Sequence, residues 1–173
     1  MASRYEKLQE LARASAKRAR SGPPIIRARD LVWETSHHGK TAHISEPEIL
    51  GSNVQTMVMF IEELAPGGKN GRHRHFSEAL VYILEGRGYS VIDDVRYDWE
   101  KGDVLAVPMM AWHQHFNADE ERPVHFLAAT NQPLLRSMGL FQMEDDPGDG
   151  EGKSDHGHGK GGDGHGHEGH KHG

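Results

Sequence analysis

From residue 25 to residue 140 the apolar side chains of this chain fall into short runs, each closed by turn residues, and this rhythm constrains the fold most. Residues 54–64 form a run rich in β-branched and large apolar side chains, ended by Ala65-Pro66-Gly67-Gly68. Residues 79–84 form another, stopped by Glu85-Gly86-Arg87-Gly88, and residues 89–92 a third, with Asp93-Asp94 behind it. Runs at 104–107, 112–116 and 124–129 follow at similar intervals. Many short strands at regular spacing, with no helix-length segment between them, predict an all-β sandwich or barrel and not a parallel α/β sheet. Residues 133–140 read as a short closing helix.

The flanks belong to other kinds of structure. Tyr5, Leu8, Leu11, Ala12, Ser15, Ala16 and Ala19 recur at the spacing that lines one helix face, so residues 3–19 are expected to form an amphipathic helix packed on the barrel or on a sister subunit. Ser21-Gly22-Pro23-Pro24 stops it, because proline removes a backbone donor and disfavours helix before it. The division expected is residues 1–24 for helix and linker, 25–143 for the barrel and 144–173 for a tail. That tail has no apolar side chain to offset the entropy of ordering and is expected to be disordered. The 35% hydrophobic content of the 173 residues understates the middle, which can bury a core alone.

The absence of cysteine excludes disulfides, thiolate ligands and a thiol nucleophile. No apolar run approaches the roughly 20 residues needed to span a bilayer. The charged N-terminus has no signal-peptide core, so no membrane association and a cytoplasmic location are expected. The net charge of -6 combines a basic first segment with an acidic, His-rich end. The basic helix reads as a solvated cap, and no nucleic-acid partner is expected.

Two segments carry chemistry. One is Gly67, then His73-Arg74-His75, then Phe76-Ser77-Glu78-Ala79-Leu80 and the Glu85-Gly86-Arg87-Gly88 turn; the other runs from Gly102-Asp103 through Pro108 to Trp112-His113-Gln114-His115-Phe116-Asn117. Residues two apart on a strand share a face, so His73 and His75 can reach one metal inside a small barrel. A third imidazole from another strand would complete one face of the coordination sphere and leave positions open for water, substrate or dioxygen.

In order, spacing and turn glycines, these segments resemble cupin motifs 1 and 2 over residues 50–130. Within the cupins they are most similar to the gentisate and salicylate 1,2-dioxygenase group, which shows the same His-Arg-His, Glu-Gly-x-Gly and Trp-His-x-His-x-Asn pattern. The resemblance implies a double-stranded β-helix (jelly-roll) barrel, a homo-oligomer, and one Fe(II) held by His73, His75 and His113. It implies dioxygenase cleavage of a small aromatic hydroxy-acid or another oxygen-chelating substrate. Ni, Mn, Zn or Cu are alternative metals. Two further readings stay open: a metal-dependent cupin lyase, decarboxylase or isomerase, and a non-enzymatic cupin that binds metal or a small molecule.

The departures matter. A typical cupin carries a glutamate ligand four or five positions after the second histidine, where Ala79 and Leu80 stand here. Glu78 is one step early, which on a regular strand turns it to the opposite face unless a bulge restores it, so Glu78 is a conditional fourth ligand. The gentisate-like group also lacks this glutamate, although its members usually carry two modules and this chain has one. Met110 stands where the second motif has glycine.

His115 should point the same way as His113 and can serve as an acid–base residue or as an orienting partner. His125 reads as structural, and His37, His38 and His43 as exposed. Trp112, Tyr82, Trp99 and Phe116 read as packing residues. By alternation Arg72 and Arg74 point away from the metal, leaving Arg87 as the candidate cation for an anionic substrate. In the tail, His156, His158, His165, His167, His170 and His172 can bind Ni, Zn, Cu or Co loosely, or the tail simply confers solubility.

Overall fold

The computed structural model describes residues 2–46 and 53–149. Helix α1 (Arg4–Ala19) opens the chain. A reciprocal cap starts it: Glu6 N donates to Ser3 Oγ at 3.2 Å, and Ser3 N donates to Glu6 Oε2 at 2.6 Å. Its apolar stripe is uncovered in the single chain, with Tyr5, Leu8 and Leu11 at 69%, 56% and 65% exposure. The expected packing of this helix against the barrel is therefore not what the single chain adopts.

Among the described residues, eleven strands follow: β1 (Trp33–Ser36), β2 (Gly39–Ser45), β3 (Val58–Leu64), β4 (His73–His75), β5 (Ala79–Glu85), β6 (Arg87–Ile92), β7 (Val95–Glu100), β8 (Val104–Val107), β9 (His113–Asn117), β10 (Val124–Thr130) and β11 (Met143–Asp145). Helix α2 (Gln132–Ser137) lies between the last two. The strands form two antiparallel sheets, in the orders β1-β2-β3-β10-β5-β8 and β11-β4-β9-β6-β7. Non-sequential neighbours in both sheets are the pattern of a jelly roll.

Alternation decides which side chains meet between the sheets. On β5, Ala79, Val81 and Ile83 are buried while Leu80 and Tyr82 are exposed; on β10, Val124, Phe126 and Ala128 face inward. Leu64, Trp99 and Val107 complete this core. Gly88 is required where β6 runs between β9 and β7, because a Cβ there would lie 2.1 Å from Phe116 O and 2.3 Å from the Trp99 ring.

Two segments add to the sequence reading. His37 and His38 form the two-residue tip of a hairpin between β1 and β2, strands that the sequence reading did not single out, with Ser36 paired to Gly39. Their strands carry no apolar alternation because β1 is a short, exposed sheet edge. Met143, Glu144 and Asp145 pair with His75, Arg74 and His73, so the barrel continues past the boundary expected at residue 143. Ion pairs hold this extension: Arg74–Glu144 at 2.5 Å, Arg72–Asp146 at 2.6 Å and Lys69–Asp149 at 2.5 Å. The rest of the expected tail, from residue 150 with all six of its histidines, lies outside the described residues.

Candidate metal centre

Three imidazoles converge between β4 and β9. His73 and His75 project from one face of β4, and His113 opens β9 directly opposite His73 in the ladder. Ring centroids are 4.3 Å apart for His73–His113, 4.8 Å for His75–His113 and 5.6 Å for His73–His75. One nitrogen from each ring lies within 4.8 Å of the others. The loop before β9 is tied to β4 by Met110 N donating to His75 O at 2.8 Å. Met110 adopts φ 59, so the left-handed turn is kept where the motif has glycine.

The other ring nitrogens settle the tautomers. Nδ1 of His73 faces Gly71 O at 2.8 Å, Nδ1 of His75 faces Ser77 O at 2.7 Å, and Nδ1 of His113 faces Ala111 O at 2.9 Å. A carbonyl oxygen only accepts, so each Nδ1 carries the proton and each Nε2 presents a bare lone pair. Desolvation by burial holds His73 down at about 4 and His113 at about 2, and lowers His75 as well. The triad is therefore neutral near pH 7, as a divalent metal requires. Three neutral nitrogens fixed from behind by backbone carbonyls fit a metal ion with open positions.

Glu78 is not part of this arrangement. It is exposed, and its carboxylate meets Asn131 Nδ2 at 3.4 Å, on the outer face where strand parity puts it.

His115 is buried beside the triad, 5.7 Å from the His113 ring centroid and 5.2 Å from that of Phe126. Ser90 Oγ accepts Trp99 Nε1–H at 2.8 Å and meets His115 Nδ1 at 2.7 Å. Ser90 is fully buried and, among the described residues, its hydroxyl meets no other acceptor, so its proton goes to Nδ1 and the His115 proton sits on Nε2. Complete burial pushes its pKa down to about 3.

Arg87 does not reach the centre. It pairs with Glu100 at the end of β6 opposite Ile92, and Ile92 is the residue that pairs with His113. Arg72 and Arg74 stand 5.0 and 4.6 Å over the outer Trp112 ring. His125 meets Glu63 at 2.9 Å, away from the triad.

A cavity of about 270 Å³ adjoins the triad, lined by His73 and His75 together with His38, His43, Phe60, Glu62, Thr130 and Phe141 among others. His38 and His43 are thus partly buried cavity residues, contrary to the exposed positions expected of them. The His38 ring sits edge-on to His73 at 4.6 Å. The sequence reading missed Glu62 as well. Val58, Glu62 and Leu64 are buried at alternate positions of β3, with Phe60 half-buried between them. That parity was the signal available.

Residues 60–130 match the cupin domain family. The chain is 29% identical over 92 residues to 5-aminosalicylate 1,2-dioxygenase of a Comamonas species, covering 53% of this chain and 24% of the relative. It is 30% identical over 115 residues to 1-hydroxy-2-naphthoate 1,2-dioxygenase of Nocardioides sp. strain KP7, covering 66% and 30%. The chain spans about a quarter to a third of the length of these relatives. Its fold superposes on salicylate 1,2-dioxygenase from Pseudaminobacter salicylatoxidans with a TM-score of 0.56 and 22% identity, covering 83% of this chain and 38% of that one.

Proposed function

We propose, from the premise that this chain carries a cupin domain, that it is a mononuclear metal-dependent dioxygenase acting on a small, oxygen-chelating aromatic compound. One observation carries this reading: three Nε2 lone pairs point at one place because three backbone carbonyls hold the opposite Nδ1 protons. Similarity to two ring-cleaving dioxygenases supports the reaction class.

His73, His75 and His113 hold the metal, Fe(II) in the first instance. When bound, such a metal supplies open coordination positions, Lewis acidity and, for iron, a one-electron partner for dioxygen. The remaining work is done by the chain. Phe60 and Phe141 give the adjoining cavity apolar walls that exclude water around an aromatic ring. His115 keeps its proton at Nε2 and offers it as a hydrogen-bond donor beside the triad, oriented through Ser90 and Trp99.

Anaerobic reconstitution of the full chain with Fe(II), followed by oxygen-uptake measurements with gentisate, salicylate, aminosalicylates and catechols, tests the proposal. Stoichiometric oxygen consumption with at least one compound is expected. No uptake with the triad fully loaded would reject the dioxygenase reading, and turnover without oxygen would select a lyase or isomerase.

A further inference from the structure

A second set of metal-ligating side chains converges just outside the triad. Asp145 on β11 pairs with His73 on β4. Residues directly opposite in an antiparallel ladder share a face, so the Asp145 carboxylate is turned to the same side of the sheet as the His73 ring. Its Oδ1 lies 3.4 Å from Nε2 of His37 and 3.4 Å from Nε2 of His38. All three residues offer ligand atoms within 4.8 Å of one another.

Charge pairing sets Asp145 apart from its neighbours. Glu144 meets Arg74 at 2.5 Å and Asp146 meets Arg72 at 2.6 Å. Among the described residues, no lysine or arginine pairs with Asp145, which faces the two imidazoles instead. The contacts at 3.4 Å are longer than an N–H···O bond of about 2.7–3.2 Å. They match the edge, about 3.3–3.4 Å, of a tetrahedron whose corners lie about 2.0–2.1 Å from a central zinc ion.

The hairpin tip that carries the two histidines is tied to the loop of the triad. Gly71 N donates to His37 O at 3.1 Å, and Gly71 O accepts His73 Nδ1–H at 2.8 Å, so one residue joins the two clusters. A Cβ at Gly71 would lie 3.1 Å from His37 O, which ties this close approach to glycine. His38 N donates to Ser36 Oγ at 3.1 Å and closes the tip. The backbone of the outer pair is thereby set, although His37 and Asp145 face water.

We propose that His37, His38 and Asp145 form a second site for a divalent transition metal such as zinc, cobalt or nickel, separate from the triad and adjoining its cavity through His38. Two imidazoles and one carboxylate are a donor set for these ions, and the exposed side leaves positions for water. The outer site is the weaker of the two. Nδ1 of His38 is buried without an acceptor, whereas each triad Nδ1 faces a carbonyl. The inference does not depend on the reaction assigned to the triad.

The test is calorimetric titration with Zn(II) of the full-length chain, its six tail histidines changed to serine so that they add no equivalents. Two equivalents are expected, the second at least about 100-fold weaker than the first, as missing orienting partners imply. The double change His37→Ala and His38→Ala should remove the second equivalent and leave the first. Asp145→Asn should weaken the second at least about tenfold, a loss of about 1.4 kcal/mol. His113→Ala should do the reverse, weakening the first and sparing the second, so that failure at the triad and failure at the outer site are told apart. One equivalent or none in the tail-serine protein would overturn the inference. So would a second equivalent that persists in the double variant with an unchanged circular dichroism spectrum. Asp145→Asn, which leaves the hairpin sequence intact, decides the matter if the double variant does not fold: an unweakened second equivalent there would also overturn it.

Discussion

Two histidine clusters touch in this molecule and are held in opposite ways. In the inner one, His73, His75 and His113 are oriented by backbone carbonyls and shielded from water. In the outer one, the His37 and His38 rings lie 3.8 Å apart between centroids, tilted by 42°, on a hairpin tip, and both meet the half-exposed Asp145 carboxylate at 3.4 Å. Main-chain carbonyls within two residues of each ring, in the short loops flanking β4 and β9, cannot swing away as a side chain can, so the inner lone pairs point together before any metal arrives. The outer rings are held by a side chain that water can compete for. Ligand convergence in both clusters is therefore not the distinguishing property; rigidity of the second partner is.

Single ligand removals should separate the clusters most widely. His113→Ala is expected to weaken the tightest metal site at least about 100-fold, more than the usual penalty for losing an orienting partner. The double change of His37 and His38 to alanine should leave that site within about threefold, well under the factor of ten that 1.4 kcal/mol represents. Competition titration against a colorimetric chelator measures both, and equal losses would erase the distinction.

A smaller effect is expected from the layer behind the triad. Ser90→Ala strands His115 Nδ1 and Trp99 Nε1–H in the core and should lower unfolding stability by about 1–3 kcal/mol, read from urea midpoints.

The pH dependence should show the buried groups acting in opposite directions. His73, His113 and His115 have folded values of about 4, 2 and 3, below the ordinary 6.5, so the unfolded chain binds more protons. Their contribution is present above pH 6.5 and is lost as pH falls from there towards 4 and below. Glu62 is raised from 4.5 to about 8, so its contribution is complete below pH 4.5 and is lost as pH rises through 8. Metal-free parent protein should therefore be less stable at pH 5 than at pH 6.5. Glu62→Gln should remove the decline on the alkaline side only, as followed by urea denaturation.

Asp145→Asn is expected to do least to the fold and the triad. It removes only exposed contacts to His37 and His38 and should cost under about 1 kcal/mol with metal binding at the triad retained. A larger loss of metal there would show that the outer cluster supports the inner one through the His38–His73 ring contact.

Much of this architecture was legible along the chain because it depends on local periodicity. The runs at 79–84, 104–107 and 124–129 lie on β5, β8 and β10, where one face meets the core and alternation is strict. The spacing of His73 and His75 gave their common face, and the same parity turned Glu78 outward. β1, β2 and β11 were not legible, because exposed or half-exposed edge strands are specified by backbone pairing with β3 and β4 more than by their own side chains.

The sequence by itself determined an all-β core, the shared face of the first two histidines and the helix boundary at Ser21 to Pro24, since each follows from neighbours a few residues apart. Only the tertiary structure decided that His113 stands opposite His73, that Asp145 returns to the same strand, and that Arg87 is carried away from the centre. It alone also put Glu62 and His38 on the wall of one cavity beside the triad. These placements depend on strand order and register across sequence separations far longer than any local pattern, where packing of two sheets, and not the periodicity of one strand, selects which side chains meet.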